Sequence, residues 1–248
     1  MARRILSFWF TTLFIIIAGK LHAQTRNEFS GWAALFGSYK FSNKFGLHFE
    51  GQLRSSSGWE HLQTYIIRLG LNYYVKPTMM ATAGYAYIGI YRTISETSGW
   101  APEQRIWEQF LFNKTFPLGG HAGSIQNRFR LEQRFISQSV VENNMLVTDS
   151  YKFMQRFRYF ARWIFPLQKT ERFIRGLYAS LQDEVFFNVQ NAPVTTGHFF
   201  DQNRAYVSLG YRAAPGFDIE IGYMNQFILG RTTNVINNIL QLATYVRI

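Results

Sequence analysis

The sequence predicts an all-β fold, a transmembrane antiparallel β-barrel of about 12 strands (10–12) with short periplasmic turns and longer external loops. Three observations support this prediction. Apolar and polar residues alternate with period two along most of the chain, as in strands with two different faces. The predicted connections alternate between short and long, as in outer-membrane barrels. Aromatic residues make up 18% of the chain, and many lie near connections, where rings favour the interface between lipid and water.

Residues 1–23 have the features of a secretory signal peptide, and residues 24–248 form the predicted barrel. Two arginines precede an apolar run over residues 5–18, and Ala23 supplies a small residue at the cleavage position. Because the segment carries three basic residues and no acid, its removal lowers the formal net charge from +11 to +8. We expect cleavage near Ala23 and a mature chain in the outer membrane of a Gram-negative bacterium.

Composition excludes several other classes of protein. The chain is 47% hydrophobic and 17% charged, so it is too apolar for a disordered protein and too polar for a bundle of membrane helices. It has no cysteine, which excludes disulfide scaffolds, zinc–thiolate sites and cysteine nucleophiles.

The alternation identifies eleven strands, one fewer than an even-numbered bacterial barrel requires. We therefore expect either a hidden strand in residues 24–31 or an N-terminus that runs through the lumen. The alternation is weak in the fourth and fifth strands, where a miscount is an alternative. The predicted strands are 32–41, 45–54, 62–75, 79–92, 103–116, 122–136, 150–165, 173–187, 202–213, 217–229 and 236–248.

The predicted connections give the barrel two different ends. Short turns are predicted near residues 42–44, 76–78, 117–120, 168–170 and 214–216. Longer loops are predicted near residues 55–61, 93–102, 137–149, 188–200 and 230–235. The short turns are expected in the periplasm and the longer loops outside the cell.

The polar faces of the clearly alternating strands are rich in arginine. Basic residues assigned to the lumen are Arg54, Arg68, Arg128, Arg130, Arg134, Lys152, Arg156, Arg158, Arg162, Arg204 and Arg212. Acids assigned to the lumen are Glu50, Glu132, Glu184 and Glu220. A positive channel concentrates anions, and arginine favours bidentate contact with carboxylate and phosphate. We expect either a structural barrel filled by cross-strand ion pairs or a narrow pore that passes or binds small anions.

The alternative class is an outer-membrane enzyme acting on lipid or envelope substrates. The mature chain offers His48, His61, His121 and His198, but their spacing indicates no nucleophile with a base and an orienting group. His198 and Asp201 make only half of a metal site. We therefore expect no enzymatic activity, no cofactor and no metal. The expected partners are outer-membrane lipid, the barrel-assembly machinery during insertion and small anions, but no nucleic acid.

Several short segments carry a resemblance to a known family. They are the strand around Trp32 followed by Glu50 and Arg54, the Glu103–Arg105 segment, the Arg130–Phe135 segment, the Gln202–Arg204 segment and Gly222 with Tyr223. Together they resemble an outer-membrane family, common in Bacteroidota-type bacteria, catalogued as domain of unknown function 2490. The resemblance covers most of the mature chain. It implies an outer-membrane β-barrel and no particular activity.

Overall fold

A computed structural model describes residues 24–248, which form a closed β-barrel of eleven strands. The predicted signal peptide lies outside the described residues. Within the described chain, no helix has the length and apolar character needed to cross a membrane. Two short 3-10 helices cover Ser57–Trp59 and Ala192–Val194. The strands are β1 (Gln24–Lys40), β2 (Phe45–Ser55), β3 (Leu62–Lys76), β4 (Met79–Ile94), β5 (Thr97–Leu118), β6 (His121–Glu142), β7 (Met145–Pro166), β8 (Gly176–Gln190), β9 (Phe200–Ala214), β10 (Phe217–Ile228) and β11 (Thr233–Arg247).

The barrel closes through a parallel pairing of its first and last strands. β1 and β11 are aligned from the pair Gln24–Thr233 to the pair Ser38–Arg247, whereas consecutive strands pair antiparallel. Eleven consecutive antiparallel strands leave the first and last strands running in the same direction, so closure requires this parallel pair. The expected number of about twelve is therefore corrected to eleven. Residues 24–31 form the first part of β1, and they are neither a separate strand nor a segment inside the barrel.

The two ends of the barrel are named here after the described chain ends that they hold. The C-terminal end contains Ile248 and the connections 41–44, 77–78, 119–120, 167–175 and 215–216. The N-terminal end contains Gln24 and the connections 56–61, 95–96, 143–144, 191–199 and 229–232.

The predicted contrast between short and long loops is wrong in three places. Residues 93–102 and 137–149 continue the strands into hairpins that are closed by two-residue turns. Both turns have positive φ at each central residue, 46° and 68° in the first and 50° and 58° in the second, as type I′ hairpins require. Conversely, the short turn predicted at 168–170 belongs to the connection 167–175, which is as long as the connection 191–199.

The strands are strongly staggered around the barrel. From Trp32, the paired residues lead from strand to strand around the barrel to Ala101 of β5 in one direction and to Thr115 of β5 in the other. The register therefore shifts by 14 residues over one full turn of the barrel. With usual strand spacing and rise, this stagger corresponds to a strand tilt of about 40° and a backbone diameter of about 22 Å. Long side chains can therefore reach across the interior to partners several strands away, as Arg68 on β3 reaches Glu132 on β6.

The wall of the barrel is mainly apolar outside and charged inside. Leu69, Leu209 and Ile221 point outward and are 60%, 59% and 62% exposed, whereas Glu132 and Arg130 are 0% and 1% exposed. Only two small apolar clusters of buried residues occur among the described residues, one around Trp32 and one around Trp107. This distribution is the reverse of that in a water-soluble protein, in which carboxylates and guanidinium groups are mostly exposed.

Candidate functional site

Glu132 is the centre of an ion-pair network in the barrel interior. Its carboxylate accepts hydrogen bonds from Arg158 Nη1 at 2.6 Å and Arg156 Nη2 at 2.8 Å. Arg68 Nη2 and Arg105 Nη1 lie 3.4 Å and 3.5 Å from the same carboxylate. Burial of a carboxylate is costly, and multiple charge-assisted hydrogen bonds offset that cost. Glu132 thus joins strands β3, β5, β6 and β7.

Two further carboxylates extend the network across the barrel. Glu184 on β8 accepts hydrogen bonds from Arg128 Nη2 and Arg158 Nη2, both at 2.7 Å. Glu50 on β2 receives Arg68 Nη1, which lies 2.5 Å from both of its oxygens. Arg158 therefore bridges Glu132 and Glu184, and Arg68 bridges Glu132 and Glu50.

Other ion pairs fill the interior near the N-terminal end of the barrel. Glu103 Oε1 on β5 accepts hydrogen bonds from Arg105 Nε and Arg134 Nε, both at 2.6 Å. Asp201, at the start of β9, accepts from Arg156 Nη1 at 3.1 Å and from Thr196 in the connection 191–199, also at 3.1 Å. This connection is thereby tied to the ion-pair network.

Ion pairs near the C-terminal end of the barrel link the last strands to one another and to β7. Arg162 Nη2 donates to Glu220 Oε2 at 2.5 Å. Asp218 accepts from Arg212 Nε and Arg247 Nη2, both at 2.8 Å, and so connects β9, β10 and β11.

The structure places ten of the eleven predicted basic residues inside the barrel, together with all four predicted acids. The exception is Lys152. It is exposed on the part of β7 that extends beyond the end of β8, where both faces of the strand meet solvent.

Sequence reasoning missed four interior charges. Glu103 and Arg105 belong to β5, whose outward residues Gln104 and Glu108 are also polar, so the alternation that would reveal the inward face is obscured. Asp201 and Asp218 lie beside connections, where a charged residue is normally read as part of a loop. With these residues, the interior contains eleven arginines and seven carboxylates, an excess of four positive charges. This count leaves out Arg247, which lies at the C-terminal end of the barrel with a side chain that is 41% exposed.

A cavity of about 330 Å³ lies inside the barrel and reaches the C-terminal end, where Pro77 and Thr78 line it. Its charged lining consists of seven arginines and two glutamates: Arg54, Arg128, Arg130, Arg158, Arg162, Arg204, Arg247, Glu50 and Glu184. No residue of the connections 143–144 and 191–199 lines it. The cavity is therefore basic and is reached from the C-terminal end.

The histidines are separated from one another. His48 lines the cavity with its Nε2 atom 3.7 Å from Glu50 Oε2. The ring of His61 packs against Tyr91 with centroids 5.1 Å apart, and His121 Nδ1 lies 2.9 Å from the carbonyl oxygen of Pro166. Within residues 24–248, no group of three or more histidine, aspartate or glutamate side chains is arranged to hold a metal ion.

Comparison with known proteins places the chain in a family. The family described as protein of unknown function (DUF2490) matches residues 29–237. The chain belongs to this family. An uncharacterized protein of Methylorubrum extorquens is 26% identical over 200 residues, which cover 80% of this chain and 78% of that protein. No solved structure matches the chain. Because the family description gives no activity, the function must be argued from the geometry of the barrel.

Proposed function

We propose that this protein is an outer-membrane β-barrel that binds small anions in its basic cavity and does not conduct them through the barrel. The observation that carries this proposal is the distribution of charge in a closed barrel, with apolar side chains outside and arginines inside.

The apolar outer wall supports insertion into a lipid bilayer. Strands of 15 residues, such as β3 and β9, rise about 38 Å along the axis at a tilt of about 40°, which exceeds the apolar thickness of about 25–30 Å. Phe45 and Tyr73 point outward near the C-terminal end of the barrel, and their ring centroids are 5.5 Å apart. This position suits a girdle of aromatic residues at the interface between lipid and water. The carboxylates of Glu108 and Asp183 point outward and are exceptions to the apolar character of this wall. Glu108 accepts a hydrogen bond from the amide of Gln133, and Asp183 accepts one from the amide of Asn203.

The ion-pair network argues against an open pore. Glu132 and Glu103 receive arginines from several strands, and all of these groups are buried. A through-path would have to separate buried ion pairs, each of which is costly to break. The cavity therefore serves as a binding site that opens at one end, which we assign to the periplasmic side.

The charge imbalance supports anion binding. Four excess positive charges lie among interior side chains that are mostly buried and that surround the cavity. Uncompensated buried charge is unfavourable, so anions that enter the cavity are held by arginines that attract them strongly at low dielectric. The same contacts explain why arginine, which binds oxyanions through two donors, dominates the lining.

Reconstitution tests the proposal. We expect the mature chain to refold in detergent or lipid vesicles with β-type circular dichroism and with gel migration that changes on heating. Planar bilayers that receive protein from the same vesicles should show no conductance steps. A chain that is folded and soluble without detergent would overturn the membrane assignment. Anion-selective steps from verified, folded protein would instead show a pore.

A further inference from the structure

Arg54 and Arg130 have the weakest carboxylate pairing of the arginines that line the cavity; Arg204 comes next, with Nη1 3.8 Å from Glu184 Oε2. Arg54 forms no ion pair within 4.0 Å in the described chain. Arg130 only reaches Glu50 and Glu132 at 4.0 Å, the outer limit for such a pair. The neighbouring arginines Arg68 and Arg158 instead form short pairs of 2.5 and 2.6 Å.

Arg54 and Arg130 have matching surroundings. Arg54 donates from Nε at 3.1 Å and Nη2 at 2.5 Å to Gln52 Oε1. Arg130 donates from Nε at 3.1 Å and Nη2 at 2.7 Å to Gln109 Oε1. Each guanidinium also lies over a tryptophan ring: Arg54 is 3.9 Å from the centroid of Trp32, and Arg130 is 4.8 Å from that of Trp107.

A glutamine carbonyl orients a guanidinium without neutralising it. The tryptophan face holds the flat cation in place and adds a cation–π attraction. One edge of each guanidinium is occupied in this way, and the Nη1 atom makes no hydrogen bond within the described chain. Arg130 Nη1 is buried and has no hydrogen-bond partner, which is an unfavourable state for a charged donor. The arrangement keeps both the charge and the free donor for a ligand.

The two arginines face the same cavity and are connected through Glu50. Gln52 Nε2, from the residue that orients Arg54, donates to Glu50 Oε1 at 2.5 Å, and Arg130 Nη2 lies 4.0 Å from Glu50 Oε2. All four residues line the cavity of about 330 Å³. A cavity of this size accommodates a small molecule.

We propose that Arg54 and Arg130 form a paired site in which they bind the carboxylate or phosphate groups of a small molecule that enters the cavity from the C-terminal end. The assignment rests on the anion-binding part of the proposed function but not on membrane insertion. Oxyanions suit the site because each offers several acceptors to guanidinium N–H groups, whereas chloride offers no directional acceptor.

Fluorescence titration of the folded barrel in detergent tests the site, because Trp32 and Trp107 contact the two arginines. The probes are inorganic phosphate, succinate and glycerol 3-phosphate, with chloride as the comparison. We expect a saturable response to at least one oxyanion. A stronger response to glycerol 3-phosphate than to phosphate would indicate a lipid headgroup as the source, and the opposite order a free anion.

The decisive variant is Gln109→Glu combined with Arg54→Gln, which pairs Arg130 with a carboxylate and removes the charge of Arg54 without placing a second carboxylate beside Glu50. We expect its dissociation constant for the oxyanion to rise at least tenfold, while Gln190→Glu, at an exposed position of β8, leaves it unchanged. Heat-dependent gel migration identifies any variant that fails to fold, in which case Arg54→Lys with Arg130→Lys replaces it and should also weaken binding.

Absence of a saturable response, or equal binding by the folded double variant, would overturn the paired site. Binding in detergent by a chain that does not insert into vesicles would refute only the membrane assignment.

Discussion

The replacement Glu132→Gln should destabilise the barrel more than any replacement of an exposed acid. Glu132 is 0% exposed and receives Arg158 and Arg156 at 2.6 and 2.8 Å, with two more guanidinium groups within 3.5 Å. The amide keeps the size of the side chain but leaves these cations without their shared counter-charge. Removing one partner of a buried ion pair costs about 3–5 kcal/mol. We therefore expect the free energy of unfolding to fall by about that amount.

Urea unfolding of the barrel in lipid vesicles, followed by tryptophan fluorescence, measures this loss. The matched control is Glu28→Gln, because the Glu28–Arg26 pair is also 2.6 Å long while the side chain of Arg26 is 66% exposed. An exposed pair contributes about 0–1 kcal/mol, so the control should remain close to the unmodified protein. If the two variants lost equal stability, the interior network would not have the role assigned to it.

Three further replacements test other parts of the barrel by the same unfolding measurement. Leu69→Arg places a charge on the outer wall and should cost about 2–4 kcal/mol in lipid, whereas an unchanged stability would mean that this wall is in water. Asp218→Asn weakens two ion pairs that attach β9 and β11, and we expect a loss of about 1–3 kcal/mol; a neutral result would show that these pairs are not needed. Asn144→Ala should destabilise the β6–β7 hairpin by about 1 kcal/mol because its φ is 58°, while Asn144→Gly should not; equal effects would contradict the turn assignment.

The sequence predicts the strands and most of the interior arginines because β6 and β7 alternate strictly. Arg128, Arg130 and Glu132 occupy every second position, and no comparably charged residue occurs on the opposite face. In β5 the same rule failed. Glu103 and Arg105 are inside, but the outward residues Gln104 and Glu108 are polar as well, so both faces look alike in the sequence.

Closure and hairpin length could not be predicted from local patterns. The number of strands depends on the pairing between Gln24–Ser38 and Thr233–Arg247, which are more than 200 residues apart in the chain. The hairpins at 93–102 and 137–149 extend past neighbouring strands. Polar residues occur on both of their faces and give these segments the composition of a loop.

The central claim is that the outer wall faces lipid, and the absence of cysteine from the chain allows a direct test. A single cysteine is introduced by Leu69→Cys on the outer wall or, as a control, by Asn143→Cys at the tip of the β6–β7 hairpin. The measurement is the rate of labelling by a water-soluble maleimide after reconstitution into vesicles. Leu69 is 60% exposed on the protein surface, so lipid alone would protect it. We predict rapid labelling at position 143 and little at position 69. Equal rates at the two positions in folded protein would contradict the account.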